Sequence, residues 1–464
     1  MEELLLQMTI SSKKLSKFQS NLITKVKGDQ MYKTNPNLNL EFRGPEELIS
    51  KKSLEQKEQD YFDLLCKINI SPEGLLIYDT DVNFEPTDPN DPNYKDKYPY
   101  FMKGDSPFMG GLNLAMLGYR YNKTADKETL NTILKCLNGY MMLGKSTGIP
   151  GLWVRDIVPK QTFRPVNPLI ETWIKSPKYD NYYIRLDVSR DQYHGILFGL
   201  GVLYKTVYDP RVRSICCELI EECADFLIAN DYRIIDLNGS PTKHNMMFSW
   251  YGPFPVRTGA AALAIIKLAM CMTMKRKYID EYNRLCSFPM MYDFAATRGF
   301  YDLMWFNKVN CNNQNMSMMS LYVLASYETD PKLKSKYIEA IYRQSLFTDK
   351  FTNPFWMFMQ METANLDNKE DRIYDCKKML ELFPDSKIRI AYDHTNRTDI
   401  KTTYFNNRFN IPTAKTALPS NFILSGFLWT NDTRVLINQP ESTIRYSPID
   451  FLLAYWLGKY NKYI

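Results

Sequence analysis

Three observations predict an all-α chain folded as a ring of six helical hairpins, an (α/α)6 toroid with long loops over one end. Twelve segments carry apolar residues at helical spacing, near 46–68, 107–121, 126–145, 190–208, 211–230, 256–275, 277–289, 314–328, 332–347, 353–365, 369–383 and 448–461. Successive segments alternate between an apolar, small-residue kind and a kind charged on one face. No run of alternating β-branched residues is long enough for a major sheet, although 228–237 and 387–404 suit short hairpins.

Residues 1–45 mix Lys, Ser and Asn with short apolar clusters such as Leu15-Ser16-Lys17-Phe18, and read as an N-terminal extension carrying one docking helix. Residues 46–464 read as a single toroid domain, since rings of repeated units hold chains of this length in one body. Ser106-Pro107, Asn353-Pro354 and Ser447-Pro448 each place a capping side chain before a proline that suits the first helical position. Ser189 and Gln192 have the spacing of a capping box. The segments around Gly110-Gly111, Gly195 to Gly201 and Gly259 to Ala264 are apolar nearly all round, as expected of an inner ring packed through small residues. Their successors, beginning near Asp126 and Glu218, carry charge on one face and suit an outer ring. Insertions at 72–105, 146–188, 232–254 and 384–447 interrupt the repeat.

Composition excludes several classes. Hydrophobic residues at 45% and charged residues at 24% fit an ordinary globular chain. A net charge of +6, with the signs interspersed, argues against a nucleic-acid partner. No stretch approaches the ~20 apolar residues of a membrane span. The opening Met1-Glu2-Glu3 is acidic where a secretory leader is basic, and nine cysteines without a C-x-x-C pair read as reduced core thiols, so a cytoplasmic setting is expected. Zinc, Walker and dinucleotide patterns are absent, and neither cofactor nor metal is expected. Asp79-Thr80-Asp81-Val82-Asn83 opens like a calcium loop, but Phe84 and Asn90 stand where the turn glycine and closing glutamate belong. The aromatic content, Tyr 32, Phe 25 and Trp 7, suits either core packing or the stacking faces of a sugar site.

Tyr119-Arg120-Tyr121, Leu137 to Leu143 and Thr147 to Asp156 together resemble the six-hairpin glycosidase superfamily, in which a hairpin runs through a small-residue turn into an Arg-bearing loop over the cavity. Residues 189–201 and 448–460 are similar to segments of bacterial proteins of that architecture, so the likeness spans about residues 100–464. It implies a glycoside hydrolase or lyase acting on a carbohydrate through paired carboxylates, one protonated and one ionised. It also implies a cleft where loops enter the inner helices, which directs attention to residues just before those helices.

The densest such cluster is Arg185, Asp187, Ser189, Arg190, Asp191, Gln192, Tyr193 and His194. Asp187 and Asp191 are candidate acid and base, with Arg190, Tyr193 and His194 binding hydroxyls. The alternative is structural: Asp191 favours the helix dipole and Arg185–Asp187 forms a rim ion pair. Trp153, Arg155 and Asp156 form a second candidate, a Trp platform beside an Arg–Asp pair with Asp156 a third carboxylate, or else a pin for the loop. His244, Trp250, Tyr251 and Arg257 precede the third inner segment, and His394, Arg397 and Asp450 are weaker candidates near the end. Two further functions stay open: a sugar isomerase or epimerase in which His194 and His244 exchange a proton on opposite faces of the sugar ring, and a non-catalytic glycan-binding or scaffolding toroid.

Overall fold

The computed structural model describes residues 50–84, 104–163, 172–247, 259–287, 311–348, 351–388, 400–405, 408–414, 427–430 and 443–464. The expected N-terminal extension lies outside them. Among the described residues run twelve α-helices: α1 Leu54–Leu64, α2 Ser106–Thr124, α3 Lys127–Lys145, α4 Arg190–Thr206, α5 Pro210–Ala229, α6 Gly259–Thr273, α7 Arg276–Cys286, α8 Cys311–Tyr327, α9 Pro331–Thr348, α10 Pro354–Thr363, α11 Lys369–Glu381 and α12 Ile449–Tyr460. A π-helical turn, Leu65–Asn69, extends α1.

The even-numbered helices form the inner ring. Each packs on the next, and α12 returns to pack on α2, so the ring closes. From α3 to α11 each odd-numbered helix packs behind the inner helix that precedes it, while α1, the first described helix, packs behind α12 and completes the sixth hairpin. Buried Glu58 on α1 carries that closure, because its Oε1 accepts from Arg120 Nε on α2 at 3.1 Å and from Trp456 Nε1 on α12 at 3.0 Å. The Arg120 guanidinium also stacks 3.7 Å from the Phe62 ring centre, so α1 is held by charge and by an aromatic face together.

The small residues of the inner helices are there for backbone contact. A Cβ at Gly195 would stand 2.3 Å from the Phe108 Cα, and one at Gly111 would stand 2.0 Å from the Gly195 carbonyl oxygen. Helices α2 and α4 therefore touch main chain to main chain. Where small residues give way to large ones the ring fills its own centre: Phe198 on α4 meets Phe355 on α10 edge-on at 5.6 Å and Tyr322 on α8 at 6.1 Å. Outer helices keep charge outward, with Asp126 capping α3 through the Thr129 N–H at 2.6 Å and Asp209 capping α5 through the Arg211 N–H at 2.9 Å.

Short strands dress the inter-helix segments. β1 Asp79–Asp81 pairs with β9 Ile444–Tyr446, antiparallel. β2 Asp156–Pro159, β3 Trp173–Lys175 and β4 Tyr182–Arg185 form a small antiparallel sheet with β4 in the middle. β5 Arg233–Ile235 pairs with β6 Pro241–Met246, and β7 Ile400–Phe405 with β8 Arg408–Ala414. The hairpins expected near 228–237 and 387–404 correspond to β5 and β7. The β2–β4–β3 sheet was not foreseen, because strands of three or four residues are too short to display an alternation.

Asn353 caps α10 through the Trp356 N–H at 3.3 Å, as its Asn-Pro signal predicts. Two other start signals resolve differently. The N-cap of α2 is Asp105, with Ser106 inside the first turn, and that of α12 is Pro448. No described helix is long and apolar enough to cross a membrane. All nine cysteines are free thiols.

Candidate functional site

The inner helices run in one direction, and their N-terminal turns share one end of the ring. There the β2–β4 sheet and the β5–β6 hairpin rise beside α4 and α8, and a cavity of about 410 Å³ opens between them. Its described lining includes Arg155, Arg185, Asp187, Arg190, Asp191, Lys243 and His244, with Asn312 and Asn313 from the first turn of α8.

Arg155 ties this end together. Its Nε donates to the Gly104 carbonyl at 2.8 Å, one terminal nitrogen donates to the Asp187 carbonyl at 3.3 Å and to Ser189 Oγ at 3.2 Å, and the other reaches Asp105 Oδ1 at 3.3 Å. The Ser189 hydroxyl donates in turn to Asp191. A continuous polar chain thus runs from Asp105, before α2, through Arg155 and Ser189 to Asp191 in the first turn of α4. Neither N-cap side chain in it caps its own helix. The expected Ser189–Gln192 capping box is therefore corrected: Gln192 crosses to α2, where Oε1 accepts from the Phe108 N–H at 3.2 Å and Nε2 donates to Asp105 at 2.9 Å. Burial, followed by the neighbouring Asp191 charge, raises the Asp105 pKa above the usual carboxylate value. Asp105 thus holds a proton more readily than an ordinary aspartate.

Asp187 sits in the left-handed region at φ 59°, tolerable for aspartate but uncommon. The turn aims its Oδ1 at the Lys243 backbone N–H, 2.8 Å away, while its own N–H donates to Asp236 at 3.0 Å. The β5–β6 hairpin is pinned to the cavity rim by this pair, and Lys243 and His244 are presented from it. The expected Arg185–Asp187 ion pair does not form. Arg185 faces Asp156 instead, at 3.7 Å, their residues being partners across β4 and β2.

Several expected site residues belong to the core. Trp153 is 1% exposed, donates its indole N–H to Cys223 Sγ at 3.1 Å and lies 4.7 Å from the Tyr140 ring, so it offers no face to a sugar. Tyr193 is buried with its hydroxyl on the Gly151 carbonyl at 2.8 Å, because its position in the first turn of α4 turns inward toward the Arg-bearing loop. Asp156 is fully enclosed, accepts from the Ser106 hydroxyl at 2.6 Å and has its pKa raised to about 7 by burial. It anchors the start of α2 to β2 and does not line the cavity. His194 is buried with Nδ1 on the Arg190 carbonyl at 2.9 Å, also outside the lining. Asp450 is fully buried, its Oδ2 paired with Lys387 Nζ at 2.7 Å and accepting from the Leu428 N–H at 3.1 Å. Trp250, Tyr251, Arg257, His394 and Arg397 lie outside the described residues.

Asp105, Lys243, Asn312 and Asn313 were missed. Asp105 had a signal: it directly precedes an inner helix, as the chosen cluster does. Lys243 and the two asparagines had none, since only the hairpin and the N-terminus of α8 bring them to Asp191. Among the described residues no group of three or more His, Cys, Asp or Glu is placed to hold a metal ion.

No family model matches this chain, and no curated protein matches it. Among solved structures it is similar to a glycoside hydrolase family 76 mannosidase, Bt3792, from Bacteroides thetaiotaomicron VPI-5482, with 10% identity, a TM-score of 0.41, and coverage of 88% of this chain and 98% of that one. The toroid rests on the ring closure of its own helices, independently of that likeness.

Proposed function

We propose that the cavity at the N-terminal end of the ring is the active site of a carbohydrate-active hydrolase, with Asp191 on its lining as the base or nucleophile and Asp105, bonded to the lining residue Arg155, as the proton donor. The observation that carries this reading is the withdrawal of both N-cap side chains, Asp105 and Ser189, from their helices into one chain that ends on Asp191. Glycosidic cleavage needs one carboxyl group that gives its proton to the departing oxygen and one that activates water or attacks carbon. Asp105, with its raised pKa, suits the first task, and Asp191, lining the cavity with a serine hydroxyl orienting it, suits the second. Arg155, between them, fixes their relative placement. Asp187 holds the hairpin that closes one side. The isomerase reading has less support, because His194 is buried with Nδ1 on the Arg190 carbonyl while His244 lines the cavity.

The test is reducing-sugar release from a panel of glycosides and oligosaccharides by the wild type and by Asp105→Asn and Asp191→Asn. Loss of about 10²–10⁴ in kcat/KM in each variant, with Tm nearly unchanged, is expected. Turnover that survives both substitutions, or a wild type that cleaves no member of the panel, overturns the assignment.

A further inference from the structure

We infer that Gln192 is a positioning residue for the proton donor: it caps α2 in place of Asp105 and grips one oxygen of the carboxyl group so released, leaving the other to carry the proton. The inference rests on the hydrolase reading and deepens it by naming what controls the acid of that site.

Asp105 is the N-cap of α2, and the third amide of the helix, the Phe108 N–H, is a donor that an N-cap carboxylate ordinarily accepts. Here Gln192 Oε1 accepts it, at 3.2 Å. That bond settles the orientation of the side-chain amide. Its acceptor end is committed to an N–H, so the Nε2 end turns to Asp105, where it donates to Oδ1 at 2.9 Å. Gln192 is fully buried in the first turn of α4, and Gly195, three residues on, lets α4 come this close, because it lies against the Phe108 backbone with no space for a Cβ.

Arg155 donates to the same oxygen, at 3.3 Å. Both donors to Asp105 therefore sit on Oδ1, and Oδ2 makes no hydrogen bond with a described residue, while the side chain keeps 45% of its surface open. A carboxylic acid has one carbonyl oxygen that accepts and one hydroxyl oxygen that donates. Two N–H donors at Oδ1 make that atom the carbonyl, so the proton rests on Oδ2, the oxygen left for a substrate. An aspartate without these donors would place it on either. The charges that face Asp105 are Asp191 on α4, Arg155 and Asp156 at the start of β2, and Arg185 on β4, and substitution of Gln192 leaves all of them in place. A donor bonded to a carboxylate favours its ionised form, so loss of the Gln192 N–H raises the Asp105 pKa.

Carboxyl-carbon chemical shifts, assigned with Asp105→Asn, follow the Asp105 titration in the full chain without substrate, for the wild type, Gln192→Met and Gln192→Glu. The midpoint should rise in Gln192→Met and further in Gln192→Glu, where a second carboxyl group faces Oδ1. Gln192→Glu retains an acceptor for the Phe108 N–H, and so carries the test should Gln192→Met fail to fold. Turnover is measured on phenyl and 2,4-dinitrophenyl glycosides of a sugar that the panel identifies, because dinitrophenolate departs without needing a proton. In both variants kcat/KM should fall about 10²-fold on the phenyl glycoside and stay within about threefold on the dinitrophenyl one, and its basic limb should move up with the Asp105 midpoint. An unmoved midpoint, or equal losses on the two glycosides, overturns the inference. A panel that yields no substrate while the midpoint moves sinks the hydrolase reading and leaves the coupling of Gln192 to Asp105 standing.

Discussion

The two ends of the inner ring are made of the same six helices and are packed to opposite purposes. At the N-terminal end Asp105, Ser189 and Asn353 are the N-caps of α2, α4 and α10, Asn312 lies in the first turn of α8, and about 410 Å³ stays open. At the C-terminal end Tyr119 and Tyr322 join hydroxyls at 3.0 Å, Tyr322 donates to Glu362 at 2.6 Å, and Asn461 donates to the same carboxylate at 3.0 Å. Lys205 stands 3.8 Å from that carboxylate, and the remaining void is about 10 Å³, at the threshold for a single water. Burial pushes both tyrosine hydroxyls well above their ordinary pKa, so they stay protonated and keep the plug intact. Polar residues alone do not make a site. At the closed end the polar groups converge on one carboxylate, whereas at the open end they line a cavity.

The largest expected effect that separates the ends is electrostatic. Burial raises the Asp156 pKa from 3.8 to about 7, so the folded chain retains a proton that the unfolded chain releases. Its contribution to stability is therefore whole below about pH 4, is lost as pH rises to about 7, and then levels, with an upper bound of about 4 kcal/mol from the size of the shift. Asp156→Asn stays neutral throughout, so unfolding curves taken across pH 4–8 should show its stability rising relative to the wild type over that window. A constant offset between the two proteins would show that Asp156 is not held protonated.

Next in size is the glycine contrast. Gly195→Ala drives a Cβ to 2.3 Å from the rigid Phe108 backbone near the open end and should cost about 3 kcal/mol in urea unfolding. Gly118→Ala toward the closed end meets the tip of Thr206 at 2.6 Å, a side chain that can turn away, and should cost about 1 kcal/mol or less. Equal costs would mean that α2 and α4 shift as a unit. Tyr322→Phe removes a hydroxyl bonded to a carboxylate and should cost about 2 kcal/mol of stability while leaving kcat/KM within about twofold. A large loss of turnover there would tie the plug to the chemistry. Smallest is Lys243→Gln, an exposed rim position whose stability change should stay within about 0.5 kcal/mol by thermal unfolding.

The fold was legible because its signals are local. Apolar spacing, the Asn353-Pro354 start and the glycine clusters of α2 and α4 each report on a few neighbouring residues, and helices form from such neighbours. The site was half legible. Arg155, Asp187, Arg190, Asp191 and His244 do line the cavity, since they lie on segments entering inner helices. Trp153, Asp156, Tyr193 and His194 share those segments yet face inward, and one residue of difference along a first turn or a short strand reverses a side chain.

By itself, then, the sequence determined that the twelve helices of the described residues form, that they alternate between apolar and charged kinds, and roughly where each begins, because hydrogen bonds within a helix and the face it buries are set by residues three and four apart. Only the tertiary structure decided that α1 completes the hairpin of α12, that Asp105 stands one bridging arginine from Ser189 and Asp191, and that Lys243 faces the first turn of α8. Those pairs are separated along the chain by up to hundreds of residues, and nothing but closure of the ring fixes which of them meet.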